Sequence, residues 1–92
     1  MNLDAVKKLA KDLRREEPRD PSEKLGGYEK AARALDKCRA TLAGTQGEFI
    51  YGCPMDRSFL SVAGVGVEEF KNFVATGASD QDVDQWLKGK KT

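Results

Sequence analysis

Residues 43–56 read A-G-T-Q-G-E-F-I-Y-G-C-P-M-D, and this stretch decides how the chain is divided into helices. Gly44 ends the helical pattern before it, because glycine adopts the left-handed backbone angles of a helix C-terminus at little cost. Pro54 begins the next helix, where a residue without a backbone N–H is tolerated. Residues 48–51 are β-prone but have no obvious partner strand, so about residues 45–53 are predicted to form an extended loop.

The segment before this loop, from about Glu29 to Ala43, has strongly helical periodicity. Its apolar residues form one stripe: Ala31, Leu35, Cys38 and Leu42. Residues three and four apart share a helix face, so this stripe is predicted to face the core. Cys38 is therefore interpreted as a core residue.

Two helix starts are predicted near the N-terminus. Asn2 is a candidate N-cap for a helix that ends before Glu17–Pro18, because the residue before a proline avoids the α region. Asp20–Glu23 has the pattern of a capping box, with proline at the first helical position. Gly26–Gly27 would interrupt this second helix early.

The C-terminal part predicts three helices after the loop, beginning at Pro54, at Val67 and after a capping box at Ser79–Asp82. The whole chain is thus predicted to be a compact all-α single domain of about five short helices over residues 1–88. Residues 89–92 are predicted to form a basic C-terminal tail.

The composition excludes several classes of function. The 92 residues are 34% charged with a net charge of +1, which is typical of one folded domain and not of a general polyanion binder. Histidine is absent, which removes the usual general base and zinc ligand. The two cysteines form no C-x-x-C pair, and neither a signal peptide nor an apolar run of about 20 residues is present. A cytoplasmic protein with free thiols, and no cofactor or metal site, is expected.

Two motifs resemble those of a known family. They are P-R-D-P-S-E-K-L-G-G-Y at residues 18–28 and L-A-G-T-Q-G-E-F-I-Y-G-C-P-M-D at residues 42–56. They are similar to a family of small bacterial proteins that is described only as a domain of unknown function. The resemblance covers about residues 12–87. It implies a compact helical fold and a cytoplasmic bacterial setting, and it implies no substrate.

The first candidate site is a surface for a small anion or a protein partner. Arg33 and Lys37 are four residues apart and share a helix face, and Gly26–Gly27 would let backbone N–H groups approach an anion. The alternative is that these cations are solvated and paired within their helix. The predicted surface comprises Arg19, Gly26, Gly27, Tyr28, Arg33, Lys37, Arg39, Glu48, Tyr51, Asp56 and Arg57.

The second candidate is Cys53 as a reactive thiol. Cys53 directly precedes Pro54 at a predicted helix N-terminus, where the helix dipole lowers the pKa of a thiol, and Arg57 follows one turn later. The alternative is a buried small residue or N-cap.

The third candidate is a pair of carboxylates, Glu48 and Asp56, which could perform acid–base chemistry or hold a cation. The alternative is that Asp56 only caps its helix.

Two function classes therefore remain open. The first is a non-catalytic binding or regulatory domain that recognises a protein partner or a small anion. The alternative is a small enzyme or thiol-redox protein that uses Cys53 with Arg57 and Asp56. Nucleic-acid binding is not expected, because no helix aligns several basic or amide side chains on one face. Membrane binding is not expected either.

Overall fold

Five α-helices form along residues 1–90, the part of the chain that this computed structural model describes. They are α1 (Leu3–Leu9), α2 (Ala31–Ala43), α3 (Pro54–Ala63), α4 (Val67–Val74) and α5 (Asp80–Gly89). Within these residues there is no β-strand, and an isolated bridge pairs Leu25 with Tyr28. The predicted all-α single domain is therefore confirmed. No helix in this range is long and apolar enough to cross a membrane.

Local sequence signals set most of the helix ends. Gly44 lies in the left-handed region with φ 79°, and its N–H donates to the carbonyls of Ala40 and Thr41 at the end of α2. Cys53 is the extended N-cap residue of α3, followed by Pro54 at the first helical position. The intervening residues are loop, as predicted. Ser79 accepts a hydrogen bond from the Asp82 N–H at the start of α5, as the predicted capping box requires.

The first helix is shorter than predicted. Asn2 caps α1 through its Oδ1, which accepts from the Ala5 N–H, but the helix ends at Leu9 instead of continuing toward Glu17. The Asp12 carboxylate accepts hydrogen bonds from the backbone N–H and the guanidinium of Arg14. A short aspartate that bonds to nearby backbone in this way competes with the helix for the same N–H groups.

The predicted helix at Asp20–Glu23 is wrong. Asp20 Oδ1 accepts from both the N–H and the hydroxyl of Ser22, at 2.8 and 2.7 Å, and this closes a turn instead of capping a helix. Gly26 follows with φ 62° and packs so closely on α5 that a Cβ there would lie 2.6 Å from Leu87 Cβ. Gly26 therefore allows the chain to pack closely against α5.

The core is built around α2 and the aromatic side chain of Phe70 on α4. Phe70 is fully buried, and its ring lies 5.8 Å from that of Phe59, 6.1 Å from that of Tyr51 and 6.2 Å from that of Trp86. The other fully buried members include Leu35, Cys38, Leu60, Val74, Val83 and Leu87. Tyr51 also donates a hydrogen bond from its hydroxyl to the Val67 carbonyl. The loop before α3 is thereby fastened to α4.

The C-terminus of the described chain is partly ordered by side-chain contacts. Helix α5 includes Gly89, and the Lys90 ammonium lies 2.9 Å from Glu69 Oε2 and 4.9 Å from the centre of the Trp86 ring. Residues 91 and 92 of the predicted basic tail lie outside the described residues. The division into a domain of residues 1–88 and a tail of residues 89–92 stays a prediction.

Candidate functional site

Three side chains meet where α2 packs beside the start of α3. Lys37 lies on α2, Cys53 is the N-cap residue of α3, and Asp56 lies in the first turn of α3. The Lys37 ammonium Nζ is 3.0 Å from Cys53 Sγ and 3.0 Å from Asp56 Oδ2. These three residues are called the thiol cluster below.

The thiol cluster combines a buried ion pair, Lys37 with Asp56, and a half-buried cysteine. The side chain of Lys37 is 5% exposed and that of Asp56 is 1% exposed, whereas Cys53 is half-buried. Asp56 Oδ2 also accepts a hydrogen bond from the Gly52 N–H at 2.9 Å. Its other oxygen, Oδ1, is buried and has no hydrogen-bond partner among the described residues. Since a buried carboxylate costs free energy unless it is paired, Lys37 is held here by strong attraction.

The pKa of Cys53 is lowered from its ordinary value. Burial and the negative charge of Asp56 raise this pKa, but the hydrogen bond from Lys37 and the backbone N–H groups of Asp56 and Met55 outweigh both effects. Both kinds of donor favour the thiolate, as expected at a helix N-terminus beside a cation. Thiolate is the nucleophilic form, so this position is suited to attack on electrophiles.

The second cysteine has the opposite environment. Cys38 lies in the apolar core with no exposed surface, and burial raises its pKa to about 12. It therefore remains a neutral thiol, in agreement with its predicted place on the core stripe of α2. Neither cysteine forms a disulfide.

Arg19 and Arg39 belong to a different cluster, which the sequence did not predict. The Arg19 guanidinium bonds to Asp36 Oδ1 at 3.0 Å and to Asp80 Oδ2 at 2.8 Å. Arg39 bonds to Asp80 Oδ1 at 2.8 Å and to the Ala78 carbonyl at 2.9 Å. Two arginines and two aspartates thus tie α2 and the preceding loop to the start of α5. We call this set the arginine network.

The remaining predicted surface residues have separate contacts. Arg33 donates to the Arg19 carbonyl at 3.3 Å and lies over the Phe49 ring, and Arg57 donates to the Gly52 carbonyl at 2.9 Å. The Gly26 N–H donates to Asp84 Oδ1, the Tyr28 ring packs on that of Phe59, and the Tyr51 hydroxyl bonds to α4. Gly27 lines a groove beside α3, and Glu48 is exposed. Of the predicted surface residues, the thiol cluster therefore contains Lys37 and Asp56, and the arginine network contains Arg19 and Arg39.

Sequence analysis joined Cys53 with Arg57 and Asp56 in the thiol-redox alternative, but it did not join Lys37 with Cys53 or Asp56. Lys37 was assigned to an anion surface and Asp56 to a carboxylate pair with Glu48. No helical or strand spacing relates residue 37 to residue 53, so no sequence signal could have joined them.

We expect the arginine network to make the fold sensitive to acid. Burial raises the pKa of Asp80, but hydrogen bonds from Arg39 and Arg19 outweigh this, so its pKa is lowered from 3.8. A carboxylate whose pKa is lower in the folded chain stabilises the fold above its unfolded value and loses that contribution as the pH falls through the folded value. Unfolding by urea should therefore become easier below pH 3.8. Asp80→Asn should have a shallower acid dependence than the parent chain, and an unchanged dependence would contradict this assignment.

Comparison with known proteins identifies the family. A family model described as a domain of unknown function, DUF5069, matches residues 15–92, so this chain belongs to that family. The comparison with curated proteins found no match. The predicted membership of an uncharacterised domain family is thereby confirmed, whereas the bacterial and cytoplasmic setting stays a prediction. The matched range contains the thiol cluster and the arginine network.

Proposed function

We propose that this domain is a small thiol-redox protein whose reactive group is the thiolate of Cys53. Membership of the DUF5069 family assigns no activity, so the proposal depends on the geometry of the site. The observation that carries the proposal is the 3.0 Å contact between Lys37 Nζ and Cys53 Sγ. A buried ammonium at this distance is the cation that a nucleophilic cysteine needs in a chain without histidine. Small electrophiles, hydroperoxides first among them, are the expected reactants.

Each member of the thiol cluster has a distinct role in this proposal. Cys53 is the nucleophile, and it is the half-buried member of the cluster. Lys37 stabilises the negative charge on the sulfur before the reaction. Asp56 holds Lys37 in place through its Oδ2, at 3.0 Å. Because both ions of the pair are buried, their attraction is screened far less than it would be at the surface.

We expect Cys53 to react with iodoacetamide at neutral pH faster than a small free thiol such as glutathione. Each unit by which the pKa falls raises the thiolate fraction about tenfold while the pH is below the pKa. Alkylation rates of the Cys38→Ala chain, measured from pH 5 to pH 10 and followed by intact mass, would give the pKa of Cys53 directly.

The matched control is the double variant Lys37→Met with Asp56→Leu in the same background. It removes the buried ion pair as a whole, so no unpaired charge is left in the interior. The pKa of Cys53 should rise in this variant, and its alkylation near neutral pH should slow. Equal rates in the two chains, or a Cys53 that reacts no faster than glutathione, would refute the proposal.

A second candidate function is the binding of a small anion in a groove beside α3. The groove has a volume of about 290 Å³, and two lysines and one carboxylate lie among its lining residues, which are Lys24, Gly27, Tyr28, Glu29, Lys30, Ser58, Phe59 and Val62. The Lys30 ammonium lies 3.5 Å from the Ser58 hydroxyl, so a hydrogen-bonding side chain and a cation face the same space. Gly27 and Tyr28 belong to the predicted anion surface and line this groove, whereas Lys24, Lys30 and Ser58 were not part of that prediction.

We expect inorganic phosphate to shift the amide resonances of Gly27, Lys30 and Ser58 in a saturable titration, since charge-assisted hydrogen bonds to lysine and hydroxyl groups favour phosphate. The double variant Lys24→Gln with Lys30→Asn should lose the shifts, while Lys7→Gln on the exposed face of α1 should keep them. Asparagine is chosen at residue 30 because it tolerates the φ of 71° found there. Shifts that do not saturate, or that persist in the double variant, would exclude this groove.

A further inference from the structure

A nitrogen in contact with the reactive sulfur belongs to a side chain that can form a covalent bond with it. Lys37 Nζ is 3.0 Å from Cys53 Sγ, inside the usual range of a hydrogen bond to sulfur, and its buried stem keeps it there. A sulfenic acid can condense with a thiol or with a neighbouring backbone nitrogen. At this site the next residue is Pro54, whose nitrogen has no hydrogen to lose. The amine of Lys37 is therefore the side-chain nucleophile that contacts an oxidised Cys53.

We propose that oxidation of Cys53 by a hydroperoxide ends in a sulfenamide bond between Cys53 Sγ and Lys37 Nζ. This inference rests on the proposed function, because it requires Cys53 to react with the peroxide first. The product would join α2 covalently to the N-terminus of α3. It would also protect the sulfur from further, irreversible oxidation.

The first step is a two-electron oxidation of the sulfur. The thiolate attacks one oxygen of the hydroperoxide, an S–O bond forms, and the O–O bond breaks. Cys53 becomes a sulfenic acid, while the peroxide is reduced and leaves as an alcohol or water after taking a proton from solvent. No other oxidant is needed for the overall reaction.

The second step is a condensation without a change of oxidation state. The Lys37 ammonium passes one proton to Asp56, whose Oδ2 is 3.0 Å away. The resulting amine attacks the sulfur, the N–S bond forms and the S–O bond breaks. The departing hydroxide takes a second proton from the nitrogen and leaves as water.

Asp56 is suited to hold the transferred proton. Its Oδ1 is buried without a hydrogen-bond partner among the described residues, so this oxygen can carry the proton of the neutral acid without breaking a hydrogen bond. Lysine loses its positive charge at the same moment as aspartate loses its negative charge. The buried pair is thus neutralised as a whole, and no unpaired ion remains in the interior.

The test uses the full chain carrying Cys38→Ala, which removes the only other thiol and with it any Cys38–Cys53 disulfide. Treatment with limiting hydrogen peroxide should lower the intact mass by two hydrogen atoms, about 2 Da, and dithiothreitol should restore it. Trypsin should no longer cleave after Lys37. It should release residues 34–39 joined to residues 40–57, with fragment ions that locate the bond at Lys37 and Cys53.

The matched control is Lys37→Arg, which keeps a cation beside the sulfur but removes the amine. It should gain oxygen atoms on Cys53 and show no loss of two hydrogens. In the Cys38→Ala chain, a sulfenic acid that gains further oxygen without forming the joined peptide would overturn the sulfenamide and leave the proposed function standing. A Cys53 that peroxide does not oxidise would overturn both.

Discussion

Replacing Lys37 with methionine is expected to lower the free energy of unfolding by about 3–5 kcal/mol. The substitution keeps an apolar stem of similar length but leaves the carboxylate of Asp56, which is 1% exposed, without its cation. The remaining hydrogen bond to Asp56 Oδ2, from the Gly52 N–H, does not replace a full positive charge. Since domains of this size have a total stability of about 5–15 kcal/mol, this loss would be a large fraction of the whole. Urea unfolding followed by circular dichroism would measure it.

The control for this prediction is an ion pair of the same type at the surface. Lys88 Nζ lies 2.9 Å from Asp84 Oδ2, but the lysine side chain is 62% exposed. Lys88→Met should therefore cost no more than about 1 kcal/mol. The double variant Lys37→Met with Asp56→Leu should recover most of the stability lost in Lys37→Met. If Lys37→Met costs no more than Lys88→Met, the pair in the thiol cluster contributes no more than a surface pair.

Phe70→Ala is expected to have a destabilising effect of similar size, about 3–5 kcal/mol. Phe70 has no exposed surface and contacts the rings of Tyr51, Phe59 and Trp86, so its removal leaves a cavity as well as losing burial. The Tyr51 ring stacks on Phe70 at an interplanar angle of 22°. The variant should therefore also loosen the loop that leads to Cys53.

Thermal and urea unfolding would measure the loss of stability, and hydrogen exchange of the Tyr51 and Gly52 amides would report on the loop. Phe73→Ala is the matched control, because Phe73 is only half-buried and stacks on Trp86 at 4.5 Å near the surface. It should cost less and leave exchange in the loop unchanged. Equal losses in the two variants would mean that Phe70 is not the centre of the core.

Helix boundaries were predictable from the sequence wherever one residue type determines them. Gly44, Pro54 and the capping box at Ser79 act through their own backbone angles or hydrogen bonds within four residues, so the sequence contains all the information required. The prediction failed at Asp12 and Asp20 for a related reason. An aspartate can cap a helix or close a turn with nearly the same local bonds, and its neighbours in space decide between them.

The candidate site was predictable only in part. The sequence identified Cys53 as a thiol at a helix N-terminus, because the dipole argument depends on Pro54 and the turn that follows. It assigned Lys37 to an exposed surface, since a lysine in a polar stretch of helix is usually solvated. The structure buries Lys37 instead, because α2 is covered on several sides and the first turn of α3 provides a carboxylate for it.

Local sequence is enough to make the chain helical, to end most of its helices and to place Cys53 at the positive end of one of them. These properties depend on dihedral preferences and hydrogen bonds between residues a few positions apart. The tertiary structure alone decided that Lys37 meets Cys53 and Asp56, and that Arg19 and Arg39 share Asp80. Those contacts join residues 16 or more positions apart, and they exist because burying α2 forces each of its charged side chains to find an opposite charge or a hydrogen-bond acceptor away from water.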